Sequence, residues 1–512
     1  MKKAVSIIMV LIMTLTLFTV PVLANDSETE MSDAKIIDLV VDNMKCLAKI
    51  PRPSHHEKAI SDYLMDWAKE QGLDPSQDEF WNVMFEIPAT EGMEDLPLII
   101  LQGHMDMVAV AEDDQEFDPL TDPITVIRDD ENGTLTADGT SLGADDGIGV
   151  SIIMAVAQGK MAHGPLRAIF TTNEEDGMEG AANLDPEWLN DAPWLISIDN
   201  EDAGSVLVST ASGDSVRQKK ELNSVDPSGD KTLRIEISNL KGGHSGIEID
   251  KGRLNGIVAL GEFLNQLEKE GIVYELSSFK GGFAGNAIPS QSEAVIVIST
   301  EDQEQIWKKL AAYCEELNEQ YKGIENEIQC EVTEMDSLPK VVSNQEKEAV
   351  IRFITETFTG VYAMSDDMEG LVQSSANFAI FELDPEEATA IITVRSSDPD
   401  ERIILLDEQE KLAQECGFET TIDSFANAWK YDPDSRLTEL AKKIYREQNG
   451  EDICVLAVHA GLECGCFKEK NPDLDMISIG PDLKDGHTPN ETVYLNSIPK
   501  TWHLLEGIIT SS

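Results

Sequence analysis

The chain reads as an α/β domain, with a mixed, mostly parallel sheet covered by helices, interrupted by an inserted α+β lid-like segment that contains an internal repeat. Three observations predict this. Apolar runs at 98–102, 167–171 and 195–198 are nearly continuous, as in strands that helices bury on both faces. An apolar helix-type segment at 147–158 lies among them. Near Asp214 the texture shifts to alternating strands and amphipathic helices, and after Pro433 the first texture returns.

Met1-Lys2-Lys3 precedes an apolar run from Ala4 to about Ala24. A charged start, an apolar stretch and a small terminal residue predict a signal peptide at 1–24. An uncleaved anchor is the alternative, but Pro21 and Ala24 suit cleavage and no basic stop-transfer flank follows. The expected product is exported, secreted or held in the cell envelope, with no stable membrane anchor after processing. The domain then opens at 33–213. Ser54-x-x-Glu57 has the form of a capping box and predicts a helix through about Glu70, with His55 and His56 on the surface.

The insert is expected at 214–427. A strand at 233–237 and a helix at 251–267 lead to strands at 274–279 and 294–298, a helix at 301–321 and a strand at 327–332. A weaker version follows, with a strand at 389–395, a helix at 401–415 and a strand at 419–425. The order strand, Ser/Thr–Asp/Glu turn, helix, strand thus occurs at 293–333 and again at 388–425. The remainder, 428–512, offers a helix at 436–449 and a buried strand at 475–479. It is expected to fold back onto the first sheet, which makes the first domain discontinuous.

With 39 basic against 96 acidic residues, the net charge of −57 repels nucleic acid and anionic membranes. It reads first as a solvated surface. Seven Cys at irregular spacing make no disulfide framework. Cys464-Gly465-Cys466 lacks the usual metal spacing and has no second Cys pair.

Five stretches place metal-type ligands after apolar runs. They are His104 and Asp106 in LIILQGHMD, Asp145 in SLGADDG, Glu174 and Glu175 in IFTTNEED, Asp199 in LISIDNED, and His487 in ISIGPDLKDGH. Singly, each has a plain structural reading: a chance H-x-D, helix N-terminal acids, an acidic loop, a loop His. Together they predict a polynuclear metal site where strands of one sheet end, and hence a hydrolase. Asp106 is placed to take the second N–H of His104 and fix its tautomer. Adjacent Glu174 and Glu175 suit two jobs, one toward metal and one toward substrate as base. In the insert, Gly242-Gly243-His244-Ser245-Gly246, Gly285-Asn286-Ala287-Ile288-Pro289 and Arg395-Ser396-Ser397 offer polar groups that spacing alone would leave structural.

The strings IPRPSHHE, QGHMDMV, LGADDGIGV, TNEEDGMEGA, IDNED, GGHSG, GNAIPS, RSS, HAGLECG and DGHTPNE run in order from residue 50 to 491. Together they resemble the aminoacyl-histidine (Xaa-His) dipeptidases, a branch of the co-catalytic zinc exopeptidases. The resemblance implies two divalent metal ions, Zn2+ first, with Mn2+ or Co2+ as alternatives. His104 and Asp199 would hold one ion, Glu175 and His487 the other, and Asp145 would bridge. The Asp145–Asp146 peptide would be cis. Glu174 would be the general base, Asp106 the orienter of His104, and His244 the oxyanion donor. Asn286 and Arg395 would contact a short peptide substrate, Arg395 through the terminal carboxylate. His459 and Glu463 resemble a substrate-proximal loop. A homodimer is compatible, since in relatives with small lids a partner subunit supplies the equivalent of His244, while a double-length lid can supply it in the same chain. Two departures stand out: relatives are commonly cytoplasmic, and Gly147 replaces a Lys frequent after the ADD string. The rival readings are a tripeptidase, an N-acyl amino acid amidohydrolase, a non-catalytic peptide-binding protein and a two-metal phosphoesterase.

Overall fold

The computed structural model describes residues 31–159 and 161–511. The signal segment expected at 1–24 lies outside the described residues. Among the described residues, no helix is long and apolar enough to cross a membrane.

Two large sheets carry the molecule. The first runs in the order Ser76–Gln77, Val83–Ile87, Leu166–Thr171, Ile99–His104, Trp194–Ser197, Asp475–Ser478, Ser205–Thr210, Cys454–Val458. Its middle is parallel: Ile99–His104 lies between Leu166–Thr171 and Trp194–Ser197, and Asp475–Ser478 pairs with Trp194–Ser197. The C-terminal strand therefore sits inside the N-terminal sheet. Every residue of Ile99–His104 is buried. Ile99 and Leu101 pack with helices Asp33–Leu47, Ala144–Ala157 and Ile498–Ser511, whereas Ile100 faces the helix Glu463–Lys470. Burial on both faces explains the unbroken apolar run.

The second sheet is antiparallel, in the order Gln329–Met335, Lys231–Ser238, Ser292–Ile298, Tyr274–Gly281, Val372–Leu383, Glu387–Ser396, Ser212–Glu221, Glu419–Ala426. Read inward from its two edges, the halves match. In one, the helix Gln303–Gln320 links Ser292–Ile298 to Gln329–Met335, and both strands flank Lys231–Ser238. In the other, Pro399–Glu415 links Glu387–Ser396 to Glu419–Ala426, and both flank Ser212–Glu221. The halves join where Lys280 pairs with Glu382. The internal repeat is thus two copies of one split motif sharing a sheet.

Several elements differ from expectation. The Ser54–Glu57 capping box does not form: Ser54 Oγ donates to Asp106 Oδ2 at 2.8 Å, and the Glu57 carboxylate accepts from the N–H groups of His55 (3.0 Å) and Asn173 (2.9 Å). Tertiary partners outcompete the local cap, and the helix spans Lys58–Glu70. The helix expected at 251–267 starts only at Gly256, because Asn255 caps it by accepting from Ile257 and Val258. No element was anticipated at the helix Asn344–Glu356 or the strands Ser205–Thr210, Val372–Leu383 and Cys454–Val458.

Candidate metal centre

The parallel strands deliver their ligands at one edge. Ile99–His104 ends on His104, Trp194–Ser197 runs out toward Asp199, and Leu166–Thr171 leads through Asn173, with φ of 56°, into Glu174 and Glu175. Asp145 enters from the start of the helix Ala144–Ala157, with non-helical dihedrals and a cis bond to Asp146. His487 arrives on a loop after Leu483–Lys484.

Asp145 stands at the centre. Its Oδ1 lies 3.1 Å from His104 Nε2 and its Oδ2 lies 3.0 Å from His487 Nε2. Asp199 Oδ1 is 3.5 Å from the same His104 nitrogen, and Glu175 Oε1 is 2.8 Å from the same His487 nitrogen. Ligand atoms of His104, Asp145 and Glu175 all lie within 4.8 Å of one another. The structure thus brings together the five residues that the resemblance implies as ligands, in two groups that meet at the Asp145 carboxylate.

Asp106 lies under this cluster, with Oδ1 3.4 Å from His104 Nδ1. It also accepts from the N–H groups of Glu174 (3.0 Å) and Glu175 (3.2 Å), so one carboxylate positions His104 and the Glu174 turn together. Glu491, inside DGHTPNE but given no role from the sequence, accepts four backbone N–H groups: Leu142 and Gly143 at 2.8 Å each, Ala144 at 2.7 Å and Asp145 at 3.2 Å. Arg52 is buried beneath and donates to the carbonyls of Met105 (2.9 Å), Asp106 (2.8 Å) and Gly143. A Cβ on Gly147 would stand 2.5 Å from Arg52 Nη2, which accounts for glycine at this departure from the wider pattern.

The electrostatics are those of crowded carboxylates. Burial pushes Asp199 up to about 6, with Asp145 and Glu175 adding to it against His104. Burial raises Glu174 well above the ordinary carboxylate range, and Asp199, Glu463 and Glu175 outweigh the opposing pull of His104. Burial also disfavours charge on His104, yet Asp106, Asp145 and Asp199 raise its pKa well above the usual imidazole value. His487 is pushed up to about 11 by Asp145 and Glu175. Glu175 Oε1 is buried, 2.8 Å from His487 Nε2. Two imidazoles and three carboxylates without a thiolate, with anionic charge in excess, fit a pair of divalent cations.

The insert's polar groups gather on one face of the second sheet. Arg395 pairs in register with Ser375, and Thr393 with Asn377. Arg395 is only 5% exposed, and its Nε has no hydrogen-bond partner among the described residues. Its guanidinium lies 5.5 Å over the Phe425 ring, and burial lowers its pKa to about 10. His244 is brought beside Asn286 by the pairing of Gly243–His244 with Ala287–Ile288, and Ser245 N donates to Asn286 O at 2.8 Å. Burial, then Arg395, lower the His244 pKa. His459 Nε2 meets Ser375 Oγ at 2.7 Å, and burial, then Arg395, bring its pKa down to about 3. Glu463 is buried under the strand ends, where burial lifts its pKa to about 8. Among the described residues, no hydrogen bond or ion pair joins His244, Asn286 or Arg395 to the five clustered ligands.

Comparison with known proteins places this geometry in context. Residues 100–511 match peptidase family M20/M25/M40. The chain is 32% identical over 468 residues to the cytosol non-specific dipeptidase of Escherichia coli (strain K12), covering 90% of this chain and 95% of that one. It superposes on the crystal structure of aminoacylhistidine dipeptidase from Vibrio alginolyticus with a TM-score of 0.86 at 32% identity, covering 92% and 96% of the two chains. A tripeptidase from Staphylococcus aureus shares the fold at a TM-score of 0.53 and 16% identity, covering 94% and 99%. The name of the E. coli relative places that protein in the cytosol, which overturns the expectation of an exported or secreted product. That expectation rests on local sequence only: a charged start, an apolar run, and Pro21 and Ala24 at its end.

Proposed function

The chain belongs to peptidase family M20/M25/M40 and is a dipeptidase, and from that premise we propose that it cleaves Xaa-His dipeptides at a dinuclear centre, with Zn2+ the first candidate ion. The observation that carries this reading is the Asp145 carboxylate, with one oxygen facing His104 at 3.1 Å and the other facing His487 at 3.0 Å. In this reading 33–213 and 428–512 form the catalytic domain and 214–427 the lid.

A bound pair of divalent ions supplies Lewis acidity, polarising the scissile carbonyl and easing the deprotonation of water. His104 and Asp199 would hold one ion and Glu175 and His487 the other, with the Asp145 carboxylate facing both histidines. Asp106 fixes the His104 ring through Nδ1. Glu174 takes the proton of the attacking water and returns it to the leaving amine. His244, neutral in the free protein, donates a hydrogen bond to the developing oxyanion, a contribution of about 3–4 kcal/mol for a well-placed donor. Arg395, buried without a carboxylate partner, holds the substrate's terminal carboxylate, and Asn286 holds the peptide beside it. That His244 acts within its own chain is supported by the close approach of Gly246, where a Cβ would lie 2.5 Å from the His459 carbonyl of the same molecule.

The test joins metal analysis to hydrolysis of Xaa-His dipeptides, tripeptides and N-acyl amino acids, with and without chelator. Two divalent ions per chain and chelator-sensitive cleavage of Xaa-His are expected. A preference for tripeptides or N-acyl amino acids would replace the substrate assignment, and a metal-free chain that cleaves Xaa-His would end the reading.

A further inference from the structure

Residues 459–463, His-Ala-Gly-Leu-Glu, connect the edge strand Cys454–Val458 to the helix Glu463–Lys470. Both ends of this short segment are fastened by buried hydrogen bonds, and to different sheets. At one end His459 Nε2 meets Ser375 Oγ at 2.7 Å, on the strand Val372–Leu383 of the second sheet. At the other, Glu463 Oε2 accepts from Gln102 Nε2 at 2.6 Å and from Thr171 Oγ1 at 2.7 Å, both on the first sheet. Thr171 is the register partner of His104. Beside the His459 anchor, Ala460 O accepts from Ala211 N at 3.0 Å. Ala211 is the residue between Ser205–Thr210 of the first sheet and Ser212–Glu221 of the second. The segment is therefore bonded to both sheets and to the crossing between them.

We infer that 459–463 is a strap coupling the position of the insert to the His104 end of the first sheet, with Ser375 and Glu463 as positioning residues at its two anchors. Glu463 is 1% exposed, and its Oε2 serves two residues of the first sheet, so Gln102 and Thr171 are the contacts through which it acts in the strap. A buried carboxylate of this kind transmits displacement because leaving either donor unpaired is costly. The consequence for catalysis rests on the dipeptidase reading above. The mechanical claim does not.

Three single variants and one double variant test it. Thr171→Val removes one anchoring hydroxyl at constant shape, Thr171→Ser restores it, and Ser375→Ala removes the other anchor. Hydrogen exchange on the full chain without added metal should rise about tenfold or more at the remote anchor: at Gly103 and His104 in Ser375→Ala, and at 372–377 in Thr171→Val. Thr171→Ser should match wild type. In turnover, Thr171→Val should lower kcat about tenfold with KM little changed, and Ser375→Ala should raise KM. The double variant should fall short of the product of the two effects by about fivefold or more. Exchange confined to each variant's own end, or kinetic effects that simply multiply, would overturn the strap. If wild type cleaves no dipeptide, the functional reading fails and the exchange arm alone decides the strap.

Discussion

Glu491→Gln is the perturbation whose size the structure sets most directly. Both carboxylate oxygens are taken, Oε2 by the N–H groups of Leu142 and Gly143 and Oε1 by those of Ala144 and Asp145. Burial raises the Glu491 pKa, but oxygens that each accept two N–H groups leave no site for a proton, so the geometry requires the ionised form. In glutamine one oxygen becomes an NH2 group, which turns two acceptances into two donor–donor contacts. Hydrogen bonds to a charged group contribute about 1.5–3 kcal/mol each, so a loss of about 3–5 kcal/mol is expected after partial relaxation of the loop. Asp145 N is among the four donors, and its carboxylate sits between His104 and His487. A displacement of about 1 Å there would lower kcat/KM by about 100-fold. Urea unfolding followed by circular dichroism, with Xaa-His turnover on the same preparation, reads both effects. A variant within about 1 kcal/mol of wild type and with full activity would refute the view that Glu491 holds the bridging carboxylate in place.

Three further outcomes follow from the same geometry. Glu174→Gln should lower kcat by about 10²–10⁴-fold while divalent-ion content, read by elemental analysis, stays at the wild-type level. Arg395→Met should raise KM for Xaa-His while leaving the free protein as stable or more so, because it removes a buried charge that lacks a carboxylate partner. Michaelis kinetics and thermal melts separate the two. His459 is held neutral with its pKa down to about 3, so its contribution to stability is complete above the unfolded imidazole value and is lost as pH falls toward 3. Protonation of the unfolded chain at pH 5 costs the fold about 2 kcal/mol, given an unfolded pKa of about 6.5. His459→Gln should flatten the stability slope between pH 7 and pH 5 by about that amount in urea titrations, and an unchanged slope would exclude a neutral buried His459.

The gathering of acidic and imidazole groups at one sheet edge was legible because neighbouring parallel strands lie about 4.8 Å apart, so groups at adjacent strand ends must be close. His104, the Glu174–Glu175 turn and Asp199 follow from that spacing once the apolar runs are read as strands. The inserted repeat was legible for a similar reason, since each half carries its own strand–helix–strand order. The supports were not. Arg52 sits in IPRPSHHE and Glu491 in DGHTPNE, and neither string reveals that the two side chains converge on the loop before Asp145 from opposite ends of the chain. Ser54 and Glu57 had the spacing of a helix cap, but Asp106 and Asn173 offered them better partners. The Arg52 guanidinium lies where a side chain at Gly147 would go, a contact that no local pattern carries. Local pattern identifies what ends a strand; which loop then braces it depends on the path of the whole chain.

The charge balance ties the base to the cations. Burial, with Asp199, Glu463 and Glu175 beside it, raises Glu174 well above the ordinary carboxylate range. Asp199 itself is lifted to about 6 by burial and by its acidic neighbours. A carboxylate so placed serves as a base at neutral pH only beside additional positive charge, since each neighbouring anion favours its protonated form. Metal removal is therefore expected to disable Glu174 along with the polarisation of the carbonyl. The two losses share one cause, so chelation of wild type and chelation of Glu174→Gln should reach the same residual rate. Readdition of Zn2+ should return each protein to its own metal-bound rate, which for Glu174→Gln stays about 10²–10⁴-fold below wild type. A further drop on combining the two, of about 100-fold, would mean that Glu174 works as a base without the ions and that the crowding of carboxylates around Asp145 does not govern its proton.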